Sequence, residues 1–492
     1  MKKIILLISV CLFSSFSFAQ KITYSKSIKL NNKTPRFKVL GRNANFFIAE
    51  RWGTKYHFID LYNADLKKIS SKELRFEKEN KLKKIWIQPN KGWVIYTNAN
   101  KDFTLLEAKK LDAKFNIKTK PLLLDSIVER RDLVADNLRI TSSLNEKYLA
   151  VYLPIFSKGK LDYFYIKVYD TNLKVVHEMK LRDAYVKDGN FVDIEISNKG
   201  EAIAIFKDKN KTEDFKIYFI NSTNEIKSYP LTLSFPVFKR LKFSLDNINN
   251  NLLVAGFKLS DETKKKPASD AFFTLKMNLE TGQISKNTLE VFEQEFFKLL
   301  TGRESKSDKV TLQTFYIKEI IPKIDGGYLV FAESYYENEE IVEIPQNQLN
   351  NGSAVGAAVF IPSTSTYKTN YFHYNDVIVY TINAEQEIEA VNIIKKRQRS
   401  EDDNGGYSSF KIVNQQNLLE LLFLDEININ SSLKKYTING SSELFKDYIL
   451  NVNQNNVMPV IKMAVQTAPN EVLIPSYLNN NFSLIKVTFE DN

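Results

Sequence analysis

The sequence predicts an all-β fold built from repeated four-stranded sheets, and three observations predict it. The first is a recurrent turn signal. A strand-like run ends at Asn63, Asp112, Asp170, Asn221, Asn278, Asn383 and Asn439, and after a few polar residues Leu66, Phe115, Leu173, Ile226, Ile284, Ile388 and Leu444 open the next run. The spacings are 49, 58, 51, 57, 105 and 56 residues, so one interval is about double and the others scatter around a single value. Such a period marks a repeat architecture whose unit is one small sheet. The second observation is the length of the apolar runs, about four to eight residues between turn clusters, which suits strands. The third is composition: 43% hydrophobic and 12% aromatic, with 24 Tyr and 34 Phe, forms cores and favours strands.

Within one unit, 84–88 alternates like a strand, 89–92 is turn chemistry, and 93–97 is apolar and β-branched. A third run, 103–111, ends at Asp112, and a fourth follows from Phe115. The order recurs at 194–197, 202–206, 215–220 and 226–231, and again at 320–324, 328–332 and 377–382. Four strands per period argue for sheets arranged radially. One more period beyond Asn439 reaches Asp491, just after the run 482–489, so the last unit lacks its fourth strand. The run 22–30 stands alone before the first full unit at Phe37. Pairing the two closes a ring and removes two exposed sheet edges. The count is eight sheets, with seven as the alternative if 278–383 is partitioned differently.

Residues 1–19 read as a secretory signal: Lys2 and Lys3, the apolar stretch 4–18, and small residues Ser17 and Ala19 before a cut ahead of Gln20. No later run is long and apolar enough for a membrane-spanning helix. Cys11 is the only cysteine, so the mature chain holds no disulfide and no thiol nucleophile. Loss of Lys2 and Lys3 lowers the formal charge from +11 to +9. That balance favours anionic surroundings. For an exported chain these are acidic glycans, lipid or acidic protein rather than nucleic acid.

The layout resembles the β-propeller proteins as a broad group, across a single domain at 20–492 with insertions at 289–309 and 338–371. No Trp-Asp dipeptide closes the repeats, and Gly-Gly pairs occur only at 326–327 and 405–406. The stretches Asp325-Gly326-Gly327-Tyr328 and 403–409 look like those of uncharacterised exported bacterial propellers. The resemblance implies a periplasmic, cell-surface or secreted address.

Connection lengths carry the functional signal. In a propeller the first-to-second and third-to-fourth turns share one face, and here they are short: 90–92, 145–147, 198–200, 325–327 and 469–471. The other face receives the insertions 157–160, 207–214, 260–270, 289–309, 338–371 and 395–408. Insertions gathered on one face mark a binding face; drift in loops that tolerate length cheaply is the competing explanation. In 289–309, Leu289, Phe292, Phe296, Leu299 and Leu300 share a helical face and Gly302 ends the helix. Between Glu343 and Lys368 there is no charge, and 352–361 is small and apolar, a mobile loop or hairpin by default. The run from Lys395 to Arg399 beside Glu401, Asp402 and Asp403 reads as a self-neutralising, solvated loop. A sharper expectation puts Arg397 and Arg399 at the channel mouth with Arg51, Arg130 and Arg131, suited to bidentate capture of an anion. Trp52, Tyr335 and Tyr336 then supply stacking faces.

Catalytic signatures are sparse. His57, His177 and His373 stand apart without metal-ligand spacing, and no nucleophile elbow or phosphate loop occurs. No cofactor or metal is expected. Glu333, Asp402 and Asp403 are the carboxylates that an enzyme would bring together. The favoured reading is a non-enzymatic binding propeller that takes a protein or glycan of the cell envelope on its long-loop face. The alternative is a carbohydrate-active hydrolase or lyase.

Overall fold

The recurrent Asn/Asp turn is the unit from which the fold is assembled. The Asn63 side-chain oxygen accepts the backbone N–H groups of Asp65 at 3.1 Å and Lys67 at 2.8 Å, and its carbonyl accepts that of Leu66 at 3.0 Å. Leu66 is thereby held at φ 57°, in the left-handed region. The same device recurs with Phe115 at 61°, Leu173 at 61°, Asn224 at 65°, Gln386 at 68° and Ser442 at 63°, and with Gly282 at 70° one residue later. Asn and Asp suit the first position because their short side chains replace the missing backbone partners.

This geometry corrects part of the sequence reading. Leu66, Phe115 and Leu173 do not open strands; they are the left-handed residues of their turns, and all three are buried. The strands that follow begin at Lys68, Leu122 and Val175. Ile226, Ile388 and Leu444 do open strands. Ile284 forms only an isolated bridge to Met277, ahead of the strand Thr288–Val291.

The computed structural model describes residues 20–76, 80–99, 103–117, 120–127, 137–157, 160–188, 190–211, 213–261, 267–285, 287–303, 310–345, 364–415 and 418–489. The expected signal at 1–19, the apolar segment 352–361, and Arg130 and Arg131 lie outside them. The described strands form eight antiparallel sheets, each ordered as in the sequence. Blades 1 to 7 span 36–74, 80–127, 139–181, 190–232, 237–291, 315–394 and 411–451. Blade 8 joins Val465–Ala468, Glu471–Leu478 and Asn481–Phe489 to Gln20–Tyr24 and Ile28–Lys29. First strands neighbour one another around the axis from blade 8 through blades 1 to 6. The fold is an eight-bladed β-propeller.

The ring is closed as the terminal runs require. Gln20 pairs with Phe489, Ile22 with Val487 and Tyr24 with Ile485, and Ile28 continues the pairing to Phe482. Ser25 adds two bonds to Leu484, at 2.9 Å through its N–H and at 2.8 Å through its hydroxyl. Packing is organised the same way, since each apolar cluster joins two adjacent blades. Leu30, Val39, Phe47 and Leu66, for example, meet Leu473, Phe482 and Leu484 across the closing seam. The other seven clusters fill the remaining seams in turn.

The insertion after blade 5 holds a shorter helix than its apolar spacing suggests. Thr288–Val291 pairs with 271–274 as the fourth strand, which draws Leu289 out of the helix. The helix is Gln294–Thr301, capped by Gly302 at φ 73°. Phe292 and Leu300 are buried and Phe296 stacks on Phe292 at 5.1 Å, whereas Leu289 and Leu299 are exposed. Among the described residues no helix is long and apolar enough to cross a membrane.

Two outcomes test this construction. Deleting residues 20–30 leaves Asn481–Phe489 as a bare edge, so the truncated chain is expected to melt lower and self-associate, and added peptide 20–30 is expected to reverse both in calorimetry and size-exclusion chromatography. An unchanged midpoint refutes closure by this strand. At the strained turn, Leu66→Ala and Leu66→Gly lose the same apolar contact, yet the glycine variant is expected to be more stable by about 1 kcal/mol in urea melts, because alanine keeps the left-handed strain.

Candidate ligand-binding mouth

The strand bounds sort the connections onto two faces. Turns from first to second strand are short, such as residues 89–90, 197–201 and 323–327, while the other face carries 182–189, 292–314, 395–410 and 452–464. At the long-connection face the first strands of blades 4, 5 and 6 enclose a cleft of about 830 Å3. Blade 4 contributes Phe191, Asp193 and Lys207, blade 5 contributes Lys239, Arg240 and Lys242, and blade 6 contributes Tyr316 and Lys318.

β-Bulges shape this wall. The pairing shifts between Phe191 and Asp193, between Phe238 and Lys242, and between Ile317 and Glu319. A bulge twists the strand and re-aims side chains. Lys239 sits inside one, at φ 62°, with Nζ 2.8 Å from the Gln313 carbonyl oxygen and 3.7 Å above the Tyr316 ring. Arg240 is exposed and Lys207 half-buried, and neither side chain makes a hydrogen bond or ion pair among the described residues. On the same strand as Asp193, burial pushes Glu195 up to about 7, with Asp193 adding to the rise and Lys242 opposing it. The mouth therefore combines five cations with a carboxylate at its lining and a second, easily protonated one close by.

An aromatic line leads away from the cleft along blade 6. Tyr316 lies 6.0 Å from Tyr335, and Tyr335 lies 4.5 Å from Tyr374. Lys462, from the connection between blades 7 and 8, donates to the Tyr374 hydroxyl at 2.8 Å. Burial, reinforced by Glu333, raises Tyr374 to about 12, so it remains a phenol at neutral pH. Gly405, at φ 65°, leaves room for that ring; a Cβ there would sit 2.5 Å from it.

Beneath the line lies a buried ionic network, which Lys318 of the cleft lining joins at 3.5 Å from Glu333. Lys396 donates to Glu333 at 2.6 Å and to Gln398 at 2.9 Å, and Ser409 donates to the other Glu333 oxygen at 2.6 Å. The Lys396 and Glu333 side chains are wholly inaccessible. Burial lowers the Lys396 pKa against the pull of Glu333. The expectation of a solvated 395–399 loop therefore fails at Lys396. Residues 394–400 alternate in and out, so Lys396 and Gln398 share the buried side with Ile394 while Lys395, Arg397 and Arg399 face solvent.

The other expected site residues are placed as follows. Tyr335 and Tyr336 point to opposite faces of the long hairpin Tyr328–Pro345 and Thr364–Ile382. Tyr336 stacks on His373 at 4.3 Å, and beside them the Arg399 guanidinium lies 3.8 Å above Tyr371 and 3.7 Å from Glu340. Burial, then Arg399, lowers the His373 pKa. Arg397 is exposed close by. Arg51 and Trp52 stand apart in blade 1. Arg51 is buried and holds Asp60 through two bonds, at 2.5 and 3.1 Å, while Trp52 lies 5.4 Å from the Lys38 ammonium. The sequence reading passed over the cleft residues, although Lys239-Arg240-Leu241-Lys242 is a visible basic run at the start of a blade.

No protein-family model matches the chain, and no curated protein matches it. Solved structures similar to it include the Nup133 β-propeller domain of Vanderwaltozyma polyspora, at 10% identity over 89% of this chain and 98% of that one, with a TM-score of 0.40. The polysaccharide lyase Uly1 is 8% identical over 95% of this chain and 100% of that one, with a TM-score of 0.39. A prolyl endopeptidase is 9% identical over 83% of this chain with a TM-score of 0.35, and the match spans 55% of that longer chain.

The buried network generates an expectation of its own. Lys396→Met removes the wholly buried partner of Glu333 and leaves only Lys318, 3.5 Å from it and a third exposed, to balance the charge, so it is expected to cost up to about 3 kcal/mol in chemical denaturation. Adding Glu333→Gln is expected to recover part of that loss by removing a buried charge that Lys318 alone balances. A loss under about 1 kcal/mol for the single variant would show that the pair does not hold this corner together.

Proposed function

We propose that the protein is an exported, non-enzymatic binding propeller that takes an anionic protein or glycan of the cell envelope on its long-connection face. The cleft between blades 4, 5 and 6 carries this reading, since its lining sets five cations against the single carboxylate of Asp193. Of those cations only Lys318 makes an ion pair among the described residues, to Glu333 at 3.5 Å, and Lys207 and Arg240 make no hydrogen bond either. Arg397 and Arg399, in the long connection 395–410, are exposed on the same face, Arg399 beside Glu340 at 3.7 Å. The apolar start at 1–19 supports export.

The carboxylates that an enzymatic alternative would use are engaged elsewhere. Glu333 is wholly buried and held by Lys396, Ser409 and Lys318. Asp402 accepts the Asn370 N–H at 3.0 Å, and Asp403 accepts the Gly405 N–H at 2.8 Å and the Ser400 hydroxyl at 2.7 Å. These bonds favour the binding reading over hydrolysis or elimination.

Charge reversal on each face separates the reading from a general effect of basicity. Lys207→Glu with Arg240→Glu is expected to elute from a sulfated resin at clearly lower salt than the wild type. Lys147→Glu with Lys199→Glu, on the short-turn face, is expected to shift elution little. Equal shifts for the two pairs would show that the long-connection face is not the anionic docking side.

A further inference from the structure

Resting on that reading, we propose that the ligand seated in the cleft between blades 4, 5 and 6 is an acidic oligosaccharide, a chain of pyranose rings bearing carboxylate or sulfate groups. The cleft volume of about 830 Å3 falls in the range of sites that enclose a small ligand rather than a flat protein patch. Three features of its wall then narrow the chemistry.

The first is an aromatic face. Phe191 lines the cleft and is 37% exposed, although Phe164 stacks on it at 4.7 Å and Tyr152 and Phe206 brace it at 5.5 and 5.7 Å. A ring braced by three others, in a residue that still exposes more than a third of its surface at the cleft, is a rigid apolar contact for the C–H groups of a sugar. The second is the pair of uncommitted cations. Arg240 offers a planar fork for a carboxylate or sulfate, and Lys207 offers a point charge from the neighbouring blade.

The third feature separates a sugar from an acidic peptide. Asp193 lies within the lining and Glu195 two residues along the same strand. Carboxylates among the cations repel a densely anionic side-chain array. They also accept hydrogen bonds, and hydroxyl groups are abundant donors. A ligand with acid groups at intervals and hydroxyls between them satisfies both kinds of group together.

Titration calorimetry at low salt tests the assignment with four probes: oligogalacturonate, a sulfated dextran oligosaccharide, neutral cello-oligosaccharide and oligoglutamate. One or both acidic sugars are expected to bind the wild type, with the neutral sugar and the peptide weaker by about tenfold or more. Arg240→Ala with Lys207→Ala is expected to lose about tenfold in affinity for the acidic sugar. Phe191→Leu keeps an apolar side chain on Phe164 but removes the flat face, and is expected to lose severalfold with an unchanged melting temperature. Oligoglutamate binding as tightly as the sugars, or wild-type affinity in both variants, overturns the sugar assignment. If the long-connection charge reversal still lowers elution salt in that case, the anionic docking face survives and only the ligand class is wrong; if it does not, both fall.

Discussion

No blade of this protein can bury both of its own faces. A four-stranded sheet of this size has two flat sides, and the apolar clusters show that each side is covered by the next blade rather than by anything within the unit. Stability is consequently a property of seams, and an open row of blades would leave two faces and two edges wet. The pairing of Gln20–Tyr24 with Asn481–Phe489 removes both at once, because the same seam that completes blade 8 also brings Leu473 and Phe482 against Phe47 and Leu66 of blade 1. Every other feature, the mouth included, hangs on that circular arrangement.

Much of this was legible because the turn has a chemical signature. An Asn or Asp that folds its side chain back onto the following amides is visible at each Asn63-like position, and its period gives the number of sheets. The conformation of the fourth turn residue was not legible. Left-handed geometry is usually announced by glycine, and Gly282 alone of the set does so; Leu66, Phe115 and Leu173 adopt it with bulky side chains because burial outweighs the strain. Polarity alone therefore makes an apolar residue after a polar turn look like a strand opener. The helix at Gln294–Thr301 was over-extended for a related reason, since helical spacing says nothing about a neighbouring strand that captures Leu289.

The candidate site was legible in its face but not in its residues. Connection length pointed to the side on which the cleft lies, because loops can grow only where the scaffold leaves them free. Charge runs were less reliable guides. Lys396 and Arg397 are adjacent in sequence, yet one is sealed against Glu333 and the other meets solvent, a difference set by two-residue alternation. Arg51 was expected at the mouth but its guanidinium is held by Asp60 in blade 1. The bulges that turn Lys239 and Lys318 toward the cleft depend on pairing with partner strands, and pairing has no one-dimensional signal.

The bond from Ser25 to Leu484 spans 459 positions of chain. Entropy of closing so long a segment rises only slowly with its length, so the equilibrium penalty is modest. The kinetic penalty is larger, because contacts this distant form late. During synthesis Gln20–Tyr24 is made early yet has no mate until Asn481–Phe489 has followed. The sheets of blades 1 to 7 are each built from consecutive strands, so blade 8 alone waits on so distant a contact.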